Sequence, residues 1–180
     1  MKHRVLAALL LVLAAPAFAA THYRWAVKTG ADPSAAIVHA TATMSVAELS
    51  ALDRPTRISA EDRAAPVERT IYTVSGKLLM YRREEDGDFH VVIQDERTEA
   101  TLVVEIPDPA AVALRSPWRT QIESARAAFF RQFQPTSSRR DGDRRHITMV
   151  GVGFWDNRHG AVGAAYNGIE LHPVLGYSCP

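Results

Sequence analysis

Between Thr70 and Ile106 apolar and polar residues alternate in three consecutive runs, which limits the chain to folds built on a half-buried antiparallel sheet. In the first run, Thr70 to Tyr81, the residues Tyr72, Val74, Leu78 and Met80 share one face. Gly76 interrupts that run midway, as a sharp bend or a bulge would. Asp86-Gly87 is a hairpin-type turn. Phe89, Val91 and Ile93 then alternate with His90, Val92 and Gln94. After a polar loop, Leu102, Val104 and Ile106 alternate with Thr101, Val103 and Glu105, and Pro107-Asp108-Pro109 stops the third strand.

A helix follows the sheet signal. Ser116 is a suitable N-cap with Pro117 at the first helical position, and Trp118, Ile122, Ala125, Phe129 and Phe133 recur at helical spacing as one apolar stripe. Pro135 marks its end. Two more strands fit His146 to Phe154 and Ile169 to Val174, the second entered through an Asn167-Gly168 turn. Three strands, one helix and two strands, with a bent first strand, is the order of an OB-type five-stranded barrel. The fold expected is therefore mainly β, with the helix between strands three and four; a small α+β sandwich is the competing arrangement. Residues 20–66 read as an extended N-terminal arm and linker, and 67–180 as the barrel. Within the arm, Ser45 and Glu48 form a capping box ahead of Val46, Leu49 and Leu52, a short helix that ends before Pro55.

The first residues supply an address. Lys2, His3 and Arg4 precede the apolar run Val5 to Ala15, and Ala17-Phe18-Ala19 offers the small residues of a cleavage site, so 1–19 read as a secretory signal cut after Ala19. The apolar stretch is too short to span a bilayer, and no membrane anchor is expected. The protein is then periplasmic or extracellular. A single cysteine, Cys179, excludes a disulfide-stapled scaffold and a thiolate zinc site within one chain. With 21 basic and 20 acidic residues the chain is no polybasic nucleic-acid binder. Its densest positive run, Arg139, Arg140, Arg144 and Arg145 around Asp141-Gly142-Asp143, offers weak polyanion binding at most.

The chemistry-bearing residues gather on the second, third and last strands. If the apolar faces of strands two and three share the core, the register that centres their hairpin in the polar loop sets His90 opposite Glu105. That outer face is where OB barrels commonly bind ligands. Glu170 and His172, two apart, share a face of the last strand. Asp156 and His159 lie in the loop between strands four and five, and Trp155 beside them is placed to line a pocket. His90, Glu105, Asp156, His159, Glu170 and His172 are thus the candidate ligand or metal site, with Asp88, Asp108 and Asn167 as secondary positions. Imidazoles and carboxylates suit zinc or manganese, with His90, His159 and His172 as the nitrogen ligands, and the same groups serve as general acid and base. No HExxH or comparable spaced signature accompanies them.

Several phrases carry a family likeness: Arg24-Trp-Ala-Val-Lys-Thr-Gly-Ala-Asp32, Asp86-Gly-Asp-Phe-His-Val-Val92, Glu105-Ile-Pro-Asp-Pro109, Gly151-Val-Gly-Phe-Trp-Asp156 with His159-Gly160, and Asn167-Gly-Ile-Glu-Leu-His-Pro173. The chain resembles an uncharacterised family of exported bacterial proteins in these stretches. The resemblance implies that Asp88, His90, Glu105, Asp108, Asp156, His159, Asn167, Glu170 and His172 are its recurring polar positions, and it implies no activity. The chain is also faintly similar to thermonuclease-type OB domains through Asp86-Gly-Asp88. It departs from them in having Phe89 where they have threonine, and Val103 and Val104 in the region of their arginine, which argues against that nuclease chemistry. The function expected is an exported OB-like binding module for a small molecule, glycan or envelope partner. A metal-dependent hydrolase, with phosphoesters among its candidate substrates, and a structural envelope protein are the alternatives.

Overall fold

The computed structural model describes residues 23–158 and 160–180; the signal segment, its cut after Ala19, and His159 lie outside the described residues. The three alternating runs form β2 (Thr70–Arg83), β3 (Phe89–Gln94) and β4 (Thr101–Ile106), and the last two strands are β6 (His146–Trp155) and β7 (Ile169–Ser178). Sheet order runs β2-β3-β4-β7-β6, and β6 pairs again with β2, which closes a five-stranded barrel. All its pairings are antiparallel except β4 with β7, which is parallel. This is the OB arrangement expected from the order of elements. Two short strands lie outside it: β1 (Ala40–Thr43), parallel to the start of β2, and β5 (Arg140–Asp141), paired to its second half.

The first barrel strand serves two partners because it bends. Ile71 to Lys77 pair with β6, and Lys77 onward pairs with β3, so the changeover falls beside Gly76. A Cβ at Gly76 would sit 2.6 Å from the Gln94 carbonyl oxygen, too close for any side chain. A bulge between Leu78 and Met80 then shifts the alternation by one. Met80 was expected on the core face; the bulge turns it to the outer face against Val92 and Val103, and Tyr81 takes the inward position.

Inside the barrel lie Val74, Leu78, Val91, Ile93, Leu102, Val104, Met149, Leu171 and Val174. Trp155 is among them, fully buried, so it belongs to the core rather than to an open cleft. Helix α3 (Arg119–Phe133) lies between β4 and β5 and contributes Ala125 and Phe129 to the same core. Its expected N-cap was Ser116, but the helix begins later, with Trp118 as the N-cap residue; the Ser116 hydroxyl donates to the Thr29 carbonyl at 2.9 Å and accepts the Trp118 N–H at 3.4 Å, so it closes the turn ahead of the helix. Trp118 and Ile122 turn to a second cluster, with Ala35 and Val38 from the arm and Val152 from β6.

The described part of the arm packs on the barrel at several points. Helix α2 (Val46–Ser50) has the expected capping box, and Val46 and Leu49 enter the barrel core. Asp95, at the end of β3, accepts hydrogen bonds from the backbone N–H groups of Ala47, Arg97 and Thr98, which joins the α2 N-terminus to the β3–β4 loop. Burial opposes its ionisation, but these three donors outweigh it and hold the carboxyl below its usual value. A depressed carboxyl contributes stability that is full above the unfolded value near ~3.9 and is lost as pH falls through the folded value. Asp95→Asn should therefore cost most stability near neutrality and little near pH ~2.5, measured as urea midpoints at both pH values. Equal losses at the two would show that the ionised form is not what the donors hold.

Candidate functional site

The register places His90 opposite Glu105, as the hairpin argument required. Val103 pairs with Glu170 and Val104 with Leu171 in the parallel ladder, so the outer faces of β3, β4 and β7 bring His90, Glu105, Glu170 and His172 side by side. Glu105 stands between two imidazoles. His90 Nδ1 lies 3.1 Å from its Oε1, in a hydrogen bond, and His172 Nδ1 lies 3.0 Å from its Oε2. The second contact falls off the direction of the ring N–H, so it is a close polar approach without an aligned hydrogen bond. The other nitrogen of His90 donates to the Val162 carbonyl at 3.3 Å, and Glu84 Oε1 is 3.6 Å from His90 Nδ1.

This is the outer face, where such barrels commonly bind ligands. It is covered from two sides. Helix α1 (Trp25–Lys28) lies over β6, where Arg24 and Lys28 approach the ring of Phe154 at 5.0 and 5.4 Å. The loop between β6 and β7 folds over β3: Gly163, at a φ of +83°, lays its backbone on Val92, and Ala164 packs on the Met80–Val92–Val103 cluster. In consequence every residue of β3 is buried on both faces. His90, Glu105, Glu170 and His172 are buried with it, His172 completely.

Lys28 is the cation that the arm adds. Its Nζ lies 3.7 Å from both Glu105 Oε2 and Asp156 Oδ1, which ties Asp156 to the cluster. Asp88, at the start of β3, is 1% exposed; its Oδ1 accepts the Asp108 N–H at 2.8 Å, and its Oδ2 points at His172 Nε2 from 3.6 Å. Of the other secondary positions, Asp108 caps its own turn by accepting the Ala110 N–H, and approaches Arg126 at 3.9 Å. Asn167 donates to the carbonyls of Leu49 and Leu52 and accepts the Ile169 N–H, so it fastens α2 to β7. Neither enters the cluster through these bonds. In the arginine loop, Arg144 donates to Gln94 and Arg145 lies over Phe133, while Arg139 and Arg140 are exposed.

The electrostatics follow from burial and neighbours. Desolvation pushes Glu105 up, but the two imidazoles and Lys28 overcome it and hold the carboxyl well below its ordinary range. Desolvation raises Glu170, and the nearby Glu105 and Asp156 charges raise it further. Asp88 is raised by burial and by Asp86 and Glu105. Burial also lowers His90, yet Glu105 and Glu84 reverse that and raise it, whereas His172 is lowered by burial and by Lys28. The two histidines are thus pushed apart: His90 favours the imidazolium and His172 the neutral ring. A set of this kind can hold a divalent ion or a polar ligand, or pass a proton along alternating carboxylates and imidazoles.

Two ion pairs that sequence reasoning missed build the cover. Arg24 makes a bidentate pair with fully buried Glu68, and Arg63 one with Asp32. Their partners stand 44 and 31 residues apart, beyond any periodic pattern; the only visible signal was the charged residues of an arm otherwise read as linker. Comparison with protein-family models, with curated proteins and with solved structures gave no match. Among the described residues, no helix is long and apolar enough to cross a membrane.

Proposed function

We propose that the protein is an exported binding module, acting in the periplasm or outside the cell, whose ligand is a small molecule or glycan taken by the outer barrel face around His90, Glu105, Glu170 and His172. A divalent ion, zinc or manganese, serves that face as cofactor, and the arginine loop adds only weak, salt-sensitive attraction for polyanions. The observation that supports this reading is the buried Glu105 carboxyl held between two imidazoles and Lys28 beneath the arm. Desolvating each charge costs several kcal/mol, and apolar residues would cover a sheet face at least as stably. The polar set is therefore a poor device for folding and a suitable one for recognition.

Titration of isotope-labelled protein with oligosaccharides and small polar compounds, followed by amide resonances, tests the reading. Ligands are expected to move the amides of residues 88–92, 103–106 and 170–172 together with those of 24–28, since entry to that face displaces α1. Shifts confined to α3 or to the arginine loop, or none at these amides across the panel, would count against it.

A further inference from the structure

We infer that Asp88, Glu105 and His172 form a divalent transition-metal site, of the zinc or manganese type, and that Lys28 on α1 competes with the ion for Glu105. This rests on the binding-module reading and names the ion, its ligands and its competitor.

The three side chains bring one ligand atom each to within 4.8 Å of one another, and all three residues are buried. Proximity alone is a weak argument, because acidic groups often cluster without an ion. The stronger observation is the unmet polar atoms that face each other there. Asp88 Oδ2 and both ring nitrogens of fully buried His172 make no hydrogen bond among the described residues, although Asp88 Oδ2 is 3.6 Å from Nε2. Buried polar atoms are nearly always paired, and here Asp88 Oδ2 and His172 Nε2 stand unmet against each other, while His172 Nδ1 turns to Glu105, so an ion would take one of the two ring nitrogens.

The supporting contacts fit a ligand set. Asp88 is oriented through its other oxygen by the Asp108 N–H, and Glu105 through its other oxygen by His90, whose far nitrogen is anchored on the Val162 carbonyl. Metal-binding carboxylates are typically held in this way by outer hydrogen bonds. One imidazole and two carboxylates are a mixed nitrogen and oxygen set, suited to zinc or manganese more than to magnesium or calcium.

Lys28 gives the site its second property. Its ammonium lies 3.7 Å from the Glu105 oxygen that also faces His172. An ion on that oxygen would meet a buried like charge, so ion and ammonium exclude one another, and binding is linked to release of α1 from the face.

Calorimetric titration of the full mature chain with zinc chloride, and separately with manganese chloride, tests this, with magnesium chloride as control. One zinc or manganese ion per chain is expected, with magnesium much weaker. Asp88→Asn, which keeps shape and the Asp108 contact, should weaken affinity by about 10- to 100-fold. His172→Gln should abolish binding, and Lys28→Met should tighten it severalfold. Circular dichroism and thermal melts of each variant establish that it is folded. An unaltered affinity in Asp88→Asn, zinc held by exposed His146 and Glu96 instead, or no binding by wild type and Lys28→Met alike would overturn the proposal. Loss of Lys28→Met tightening alone would remove the competition and overturn the proposal as stated. Ligand-induced amide shifts without metal binding would sink the ion and leave the binding module, whereas metal binding without such shifts would do the reverse.

Discussion

Replacing Glu68 by alanine is expected to destabilise the folded chain by about 3–5 kcal/mol, the range for breaking a buried pair and leaving its partner charge uncompensated. Glu68 is fully buried and ties its own segment to Arg24 and to Trp155. Its carboxylate takes both terminal nitrogens of Arg24, the backbone N–H of Ala64 at 2.6 Å and that of Trp155 at 2.8 Å. Arg24 reaches on to the Asp62 carbonyl at 2.6 Å. Removing the carboxylate strands the guanidinium and two backbone donors at once. Urea denaturation midpoints with an unchanged slope would measure the loss. Because Arg24 adjoins α1, amide exchange at residues 25–28 should also accelerate in Glu68→Ala more than exchange in β3 or β4. A loss under about 1 kcal/mol would mean that solvent reaches this pair, as it does for surface bridges.

The second large effect is expected at Phe129, whose change to alanine should cost about 3–5 kcal/mol, transfer and cavity terms together. Phe129 is fully buried where α3 meets the barrel, and its ring meets those of Tyr81, Phe89, Phe133 and Tyr177 at centroid distances of 4.7 to 6.1 Å. The neighbouring Phe130 is 51% exposed, so Phe130→Ala should stay within about 1 kcal/mol of wild type. Thermal or urea unfolding of the two variants side by side reads the helix phase directly. Similar losses at both positions would contradict the packing of α3 on the barrel.

Much of the barrel was legible because its signals are local. A strand shows its period over four to eight residues and a helix shows its stripe over four turns, so β2, β3, β4, α3 and the entry turn of β7 stood out. The His90–Glu105 pairing followed from the same alternation once both apolar faces were assigned to one core. Met80 was misplaced because a single extra residue in β2 reverses the phase, and nothing in the alternation itself announces which residue bulges. Trp155 was misread because an aromatic at a strand end looks the same from sequence whether it points to the core or to a cleft.

Read along the chain alone, local pattern is enough for the barrel strands, the helix inserted before the fourth of them, the capping of α2, and the polar residues of the outer face. That this face is covered, that Lys28 reaches Glu105 and Asp156, and that Asp88 stands against His172 follow from the folded chain alone. Those contacts join residues 77, 128 and 84 positions apart, and they depend on where the arm lands after the barrel closes. Hydrophobic periodicity reports which side of a strand meets apolar surface. It carries no record of which distant charged residue will be buried against the other side, because that is settled by the shape and charge of surfaces formed only on folding.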